Sequence, residues 1–233
     1  MDYKFSFLVV GSALVIIPGA DKSVVGTDML NSVLLAQLVA NKEVEKHPQR
    51  NWYDAYLQVL DDFWLRYAKA QQKWRITGDS AESAVDWIVG AMGKGEMSAG
   101  QLIAAALKQV AGLPGTEPAI GLLRKHLQNA IDGQREDTEA PSKNARLLVL
   151  LAQSATSLTS VYFEFQSHQA VGPNPFAQLH TALDVPGSVS MRYDQAKLAE
   201  TRYSPVRDLI AQKVRDRLKD NVAVMTLSEK SQP

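Results

Sequence analysis

The ends of this chain are β-like and its middle is helical, and no other feature of the sequence constrains the fold as much. Residues 3–17 alternate and cluster as strands, residues 27–132 carry successive amphipathic helical patterns, and β-like segments return after that. This order predicts an α+β fold. An N-terminal β-hairpin and the C-terminal strands would share one antiparallel or mixed sheet, packed on the central helices. The expected organisation is a single domain over 1–233, with a helical segment 27–132, an exposed connector 133–143 and a β-rich segment 144–233.

At 233 residues, 45% of them hydrophobic, the chain can bury a substantial core. Twenty-five basic residues balance twenty-five acidic ones, so no global field draws in nucleic acid. There is no cysteine, which removes disulfides, thiolate catalysis and cysteine-ligated metal centres. Lys4 followed by Phe5–Val10 and Ala13–Ile17 imitates a signal peptide, but Asp2 cancels Lys4 and Gly11-Ser12 interrupts the apolar run. Gly11-Ser12 fits a two-residue hairpin turn, with Gly11 supplying a positive φ. No apolar stretch is long enough to span a membrane, so the expectation is a soluble chain, cytoplasmic or secreted without a cleaved signal peptide.

Thr27 or Asp28 caps a first predicted helix, which stops before Pro48. The strongest helical pattern runs from about Asn51 to Trp74, where Trp52, Tyr53, Tyr56, Leu57, Leu60, Phe63, Trp64 and Tyr67 form one apolar stripe. Asp79 with Glu82, and Ser98 with Gln101, read as capping boxes of two short helices. Glu117-Pro118 starts another helix that ends at Gly133. Beyond the connector, Leu147–Leu151 suits either a buried strand or a helical turn, and Val161–Phe165 alternates as a strand. Phe176–Leu183 and Val189–Leu198 read as strands joined through Pro186-Gly187. Ser204-Pro205 opens a last helix, and Val222–Leu227 closes as a strand.

Chemistry is hard to locate. His47, His126, His168 and His180 share no motif spacing. His168 and His180, at neighbouring predicted strand ends, could approach Glu164 and form a two-His-one-carboxylate triangle, although polar residues on a solvated strand face account for the same pattern. Asp54, Asp61 and Asp62 fall on the predicted aromatic helix. Adjacent helical residues point about 100° apart, so Asp61 and Asp62 do not face each other as an acid–base pair. Gly90–Gly95 resembles a phosphate loop superficially but has the wrong spacing, and neither a nucleophile elbow nor a dinucleotide fingerprint is present. The alternation of 153–166 suits a membrane-inserting hairpin and equally a half-buried strand. The sequence therefore supplies no catalytic residue and no cofactor site.

The run Asn51–Leu60, the β-rich Val161–Phe165 and the closing Val206–Leu209 together resemble small soluble accessory proteins encoded beside α-helical pore-forming toxins in Gram-negative bacteria. The resemblance implies a non-enzymatic protein in a virulence setting and transfers no functional residue. The reading that makes the fewest demands is an interaction protein with a protein partner and without nucleic acid or membrane. The alternatives are an enzyme with a dispersed, motif-free site and a membrane-inserting toxin component.

Overall fold

A computed structural model of the chain describes residues 4–19, 26–78, 80–92, 99–132 and 143–226. Asp79, Ser98, the glycines at 93 and 95 and nearly all of the connector 133–143 lie outside these residues, as does Leu227.

Seven strands form one mixed, open sheet: β1 (Phe5–Val10), β2 (Ala13–Pro18), β3 (Trp64–Trp74), β4 (Lys143–Ser154), β5 (Ser157–Ser167), β6 (Val189–Leu198) and β7 (Val222–Met225). Their spatial order is β3-β6-β5-β4-β2-β1-β7, so strands from both ends of the chain meet as the sequence predicts. Every pairing is antiparallel except β2 with β4. That parallel step requires a crossover, and residues 19–142 supply it.

The hairpin turn is as expected. Gly11 has φ +58°, and a Cβ there would lie 2.6 Å from Oε1 of Gln37. Gln37 fastens the turn by accepting hydrogen bonds from the backbone N–H and hydroxyl of Ser12 and donating to the Val10 carbonyl at 2.8 Å. A side chain at position 11 would therefore meet both backbone strain and a clash.

Helices α1 (Thr27–Lys46) and α2 (Trp52–Leu60) cover one face of the sheet. Helices α3 (Ala84–Met92), α4 (Ala99–Ala111) and α5 (Pro118–Asp132) cover the other. With both faces covered, the inner strands read as nearly continuous apolar runs. In β4, Leu147, Val149 and Leu151 enter the α3–α5 core, while Leu148, Leu150 and Ala152 enter the α1–α2 core. The ambiguous run 147–151 is thus a strand. The last helical stretch starts at Glu200, before Pro205, as α6 (Glu200–Tyr203), α7 (Arg207–Val214) and α8 (Leu218–Asn221), joined by 3-10 turns.

Several expectations need correction. The stripe from Asn51 to Trp74 is not one helix. α2 ends at Leu60, where Asp62 and Phe63 tighten into bonds with the Val59 and Leu60 carbonyls, and Trp64 then begins β3. Apolar residues at 60, 63, 64 and 67 satisfy a helical period by coincidence, and a bulge between Arg66 and Ala68 hides the period of two. Phe176–Leu183 is a loop in which only His180 forms a bridge, to Glu82. Asn174 and Asp184 supply its hydrogen bonds: the Asn174 amide donates to the Val110 and Leu113 carbonyls, and Asp184 accepts from the N–H and hydroxyl of Thr181. The box that starts α3 is Ser83 with Asp86, the expected partner of Glu82, Asp79, lying outside the described residues, and α1 has Gly26 as its N-cap without a side-chain bond.

Candidate functional site

The three sequence candidates do not converge. Successive strand residues point to opposite faces, so Glu164 and Phe165 of β5 diverge. Glu164 faces the α1–α2 side, where both of its carboxylate oxygens accept from Nδ2 of Asn51, at 3.2 and 2.9 Å. His180 lies on the α3–α5 side, 3% exposed, stacked on Trp87 with ring centroids 5.2 Å apart and edge-on to Phe165. Its Nδ1 has no partner among the described residues, and burial holds its pKa below the usual histidine range. His168 is exposed just beyond the end of β5, with its backbone N–H bound to the Asp184 carbonyl. The triangle therefore fails because the sheet itself separates Glu164 from His180. Among the described residues, no group of three His, Cys, Asp or Glu could hold a metal ion, and no helix is long and apolar enough to cross a membrane.

The α1–α2 face holds a polar network that sequence reasoning missed, because its central carboxylate, Asp194, lies more than a hundred residues from Tyr53 and Arg66. Asp194 of β6, 4% exposed, accepts from the Tyr53 hydroxyl at 2.9 Å and from Arg66 Nη1 at 3.0 Å. Arg66 also grips Asp61 through Nε and Nη2. Its two carboxylate partners push the Arg66 pKa further up. Burial, with Asp194 nearby, raises those of Tyr53 and Tyr56. The ring of Tyr53 stacks on Tyr162 at 4.1 Å, and Trp52 stacks on Tyr56 at 5.4 Å. Tyr53, Tyr56, Tyr162 and Asp194 are buried among these contacts, and the arrangement fastens α2 to β3, β5 and β6.

Two features do open to solvent. The first is the β3 edge. Among the described residues β3 pairs with β6 alone, so one side of its backbone has no described strand partner over eleven residues. Residues 69–73 are exposed, as are Leu65 (50%) and Tyr67 (56%). From Trp64 to Gly78 the only charged residues are Arg66, Lys69, Lys73 and Arg75.

The second is a cleft of about 240 Å³ beside the N-terminus of α2, lined by Arg50, Asn51, Trp52, Asn144, Arg146 and Glu164 among others. Asn51 organises one wall. Its Oδ1 accepts from the N–H groups of Tyr53 and Asp54, capping α2, while its Nδ2 holds Glu164. Arg146 lies over the Trp52 ring, 4.1 Å from its centroid, and burial lowers its pKa to about 10. Antiparallel pairing of β4 with β5 across the short turn after Ser154 places Arg146 opposite Glu164, a register that can be drawn only once Leu147–Leu151 is known to be a strand.

No protein-family model matches the chain, and no curated protein matches it. Among solved structures, the chain is similar at 14% identity and a TM-score of 0.36 to a structure of the Evf virulence factor, covering 91% of this chain and 82% of that one. It is also similar to a delta-endotoxin, at 10% identity and a TM-score of 0.34, covering 82% of this chain and 84% of that one.

Proposed function

We propose that the chain acts as a single non-enzymatic interaction domain that binds a partner protein along the β3 edge of its sheet. The observation that carries this reading is the edge itself. An eleven-residue strand extends about 36 Å at 3.3 Å per residue and presents its outward N–H and C=O groups to any extended segment that can add a strand. Edge strands are commonly blunted by lysine and by bulges, and Lys69, Lys73 and the bulge at Tyr67 serve that purpose against self-association. The same charges define the partner. A second copy would set lysine against lysine, whereas an acidic strand would complement them, with Leu65 and Tyr67 offering apolar contact. The resemblance of 51–60, 161–165 and 206–209 to toxin-associated accessory proteins supports a virulence setting for that partner. No observation favours the membrane-inserting alternative: β5 lies inside the sheet, laddered to β4 and β6, and insertion of 153–166 would have to break both ladders.

The test is capture of a partner from source-cell lysate by the wild-type chain and by Lys69→Glu/Lys73→Glu, followed by hydrogen exchange on the purified complex. Both substituted positions are exposed, so the fold should persist. The expected result is loss of capture in the double variant and slowed exchange at amides of 65–73 in the wild-type complex. Capture that survives the charge reversal, or protection confined elsewhere, would overturn the edge reading.

A further inference from the structure

We propose that the cleft beside the N-terminus of α2 is a binding site for a small carboxylate or phosphate, held on the guanidinium of Arg146. This site is separate from the β3 edge and does not depend on it.

Arg146 has a carboxylate neighbour, Glu164, close enough to act on it electrostatically but not in direct ion-pair contact. Arg146 is directly opposite Glu164 in the β4–β5 ladder, a register that ordinarily produces an ion pair. No ion pair among the described residues includes Arg146. The reason is Asn51, whose amide draws the Glu164 carboxylate toward the α2 cap. The guanidinium stacks on Trp52 instead and uses one Nη for a bond of 3.3 Å to Oδ1 of Asn41, while its Nε is buried with no partner among the described residues. Five donors in a planar fork suit a carboxylate or phosphate bidentately, and stacking on an indole fixes the plane in which the fork is presented.

A guanidinium whose Nε is buried without an acceptor among the described residues is costly, and an anion in the cleft would offset that cost. The surroundings narrow the ligand. About 240 Å³ corresponds to roughly eight water volumes, room for one acid group with a short tail. Arg50 is already engaged with Glu43 and Gln58, so it adds positive potential at the rim rather than a free fork. Glu164, fixed by Asn51, repels a second negative charge and can accept from a donor on the ligand. The site therefore selects a singly charged acid bearing a hydroxyl or amide.

The experiment is isothermal titration calorimetry of the full chain at constant ionic strength, with N-acetylglycine as the carboxylate probe and inorganic phosphate as the second arm. Saturable binding of one equivalent is expected, and the tighter arm identifies the acid class. Arg146→Met keeps an apolar stem over Trp52 and should weaken binding about tenfold or more, the equivalent of one charge-assisted hydrogen bond. Glu164→Gln, which retains acceptance from Asn51, should tighten phosphate binding as the like charge disappears. It also keeps the proposal testable if Arg146→Met does not fold. No saturable binding in either arm would overturn the site, as would unchanged affinity in a folded Arg146→Met or phosphate affinity unaffected by Glu164→Gln.

Discussion

The two faces of the sheet are built on different principles. On the α3–α5 side, Trp87, Phe163, Phe165, Ile103, Ile120 and Val149 meet in a core whose specificity comes from shape. On the α1–α2 side, apolar packing of the same quality surrounds Tyr53, Ser160, Asp194 and Arg66, so position there is fixed by direction as well as volume. The difference follows from what each face must hold. Helix α2 spans only Trp52–Leu60 and leads at once into β3, the least covered strand. Nine residues of helix give little propensity-driven stability, and directional bonds compensate for the limited area.

Breaking the directional side should therefore give the largest effect. Asp194→Ala leaves the Arg66 charge half-compensated and the Tyr53 hydroxyl without its acceptor. Loss of one member of a buried pair costs about 3–5 kcal/mol, readable as a shift in the urea midpoint. If the network confers orientation and not net stability, Arg66→Met/Asp194→Leu with Tyr53→Phe should recover most of that loss. A triple variant no more stable than Asp194→Ala would show that the polar bonds themselves hold α2 in place.

A finer contrast lies within α2. The Tyr53 hydroxyl donates to a carboxylate, whereas the hydroxyl of Tyr56, one turn on, is buried without a partner among the described residues. Tyr53→Phe should cost about 1.5–3 kcal/mol, as for a bond to a charged group, and Tyr56→Phe should stabilise by about 1 kcal/mol by removing an unsatisfied group. Equal and small losses in both variants would mean that water reaches the two hydroxyls alike.

The same contrast governs what could be read from the sequence. The inner strands were legible because burial on both faces writes itself as apolar runs, and β5 and β6 alternate plainly. β3 was not, because an exposed edge strand with a bulge selects neither apolar runs nor strict alternation, and Trp64 and Tyr67 happened to extend the period of α2. Of the site residues, Glu164 was found, but in the wrong company. Pairing it with His168 and His180 required a strand at 176–183, and the partners it actually has, Asn51 and the opposing Arg146, lie in segments read as a helix start and an ambiguous apolar run. The network of Tyr53 with Asp194 depends on β6 lying between β3 and β5, a fact of topology that no local pattern carries.

Titration distinguishes the faces last and most gently. On the α3–α5 side, His180 has its pKa lowered by burial, and His126 of α5 is lowered in the same way. Below about pH 6.5 the unfolded chain takes up protons that the folded one refuses, so stability falls as pH falls, until the folded histidines themselves titrate. On the α1–α2 side, Tyr53, Tyr56 and Tyr162 have raised pKa values, chiefly from burial, and that face should instead lose stability above about pH 10, where the unfolded tyrosines ionise first. His180→Phe preserves a ring against Trp87 and Phe165 and removes one titrating group. Urea midpoints measured from pH 7 to pH 5 should fall less steeply in this variant than in the wild type, by at most about 1.4 kcal/mol per pH unit, while the alkaline loss above pH 10 stays unchanged. An acid slope equal to that of the wild type would mean that His180 takes up its proton as readily in the folded chain as in the unfolded one, and the α3–α5 core would then be wetter around Trp87 than its burial implies.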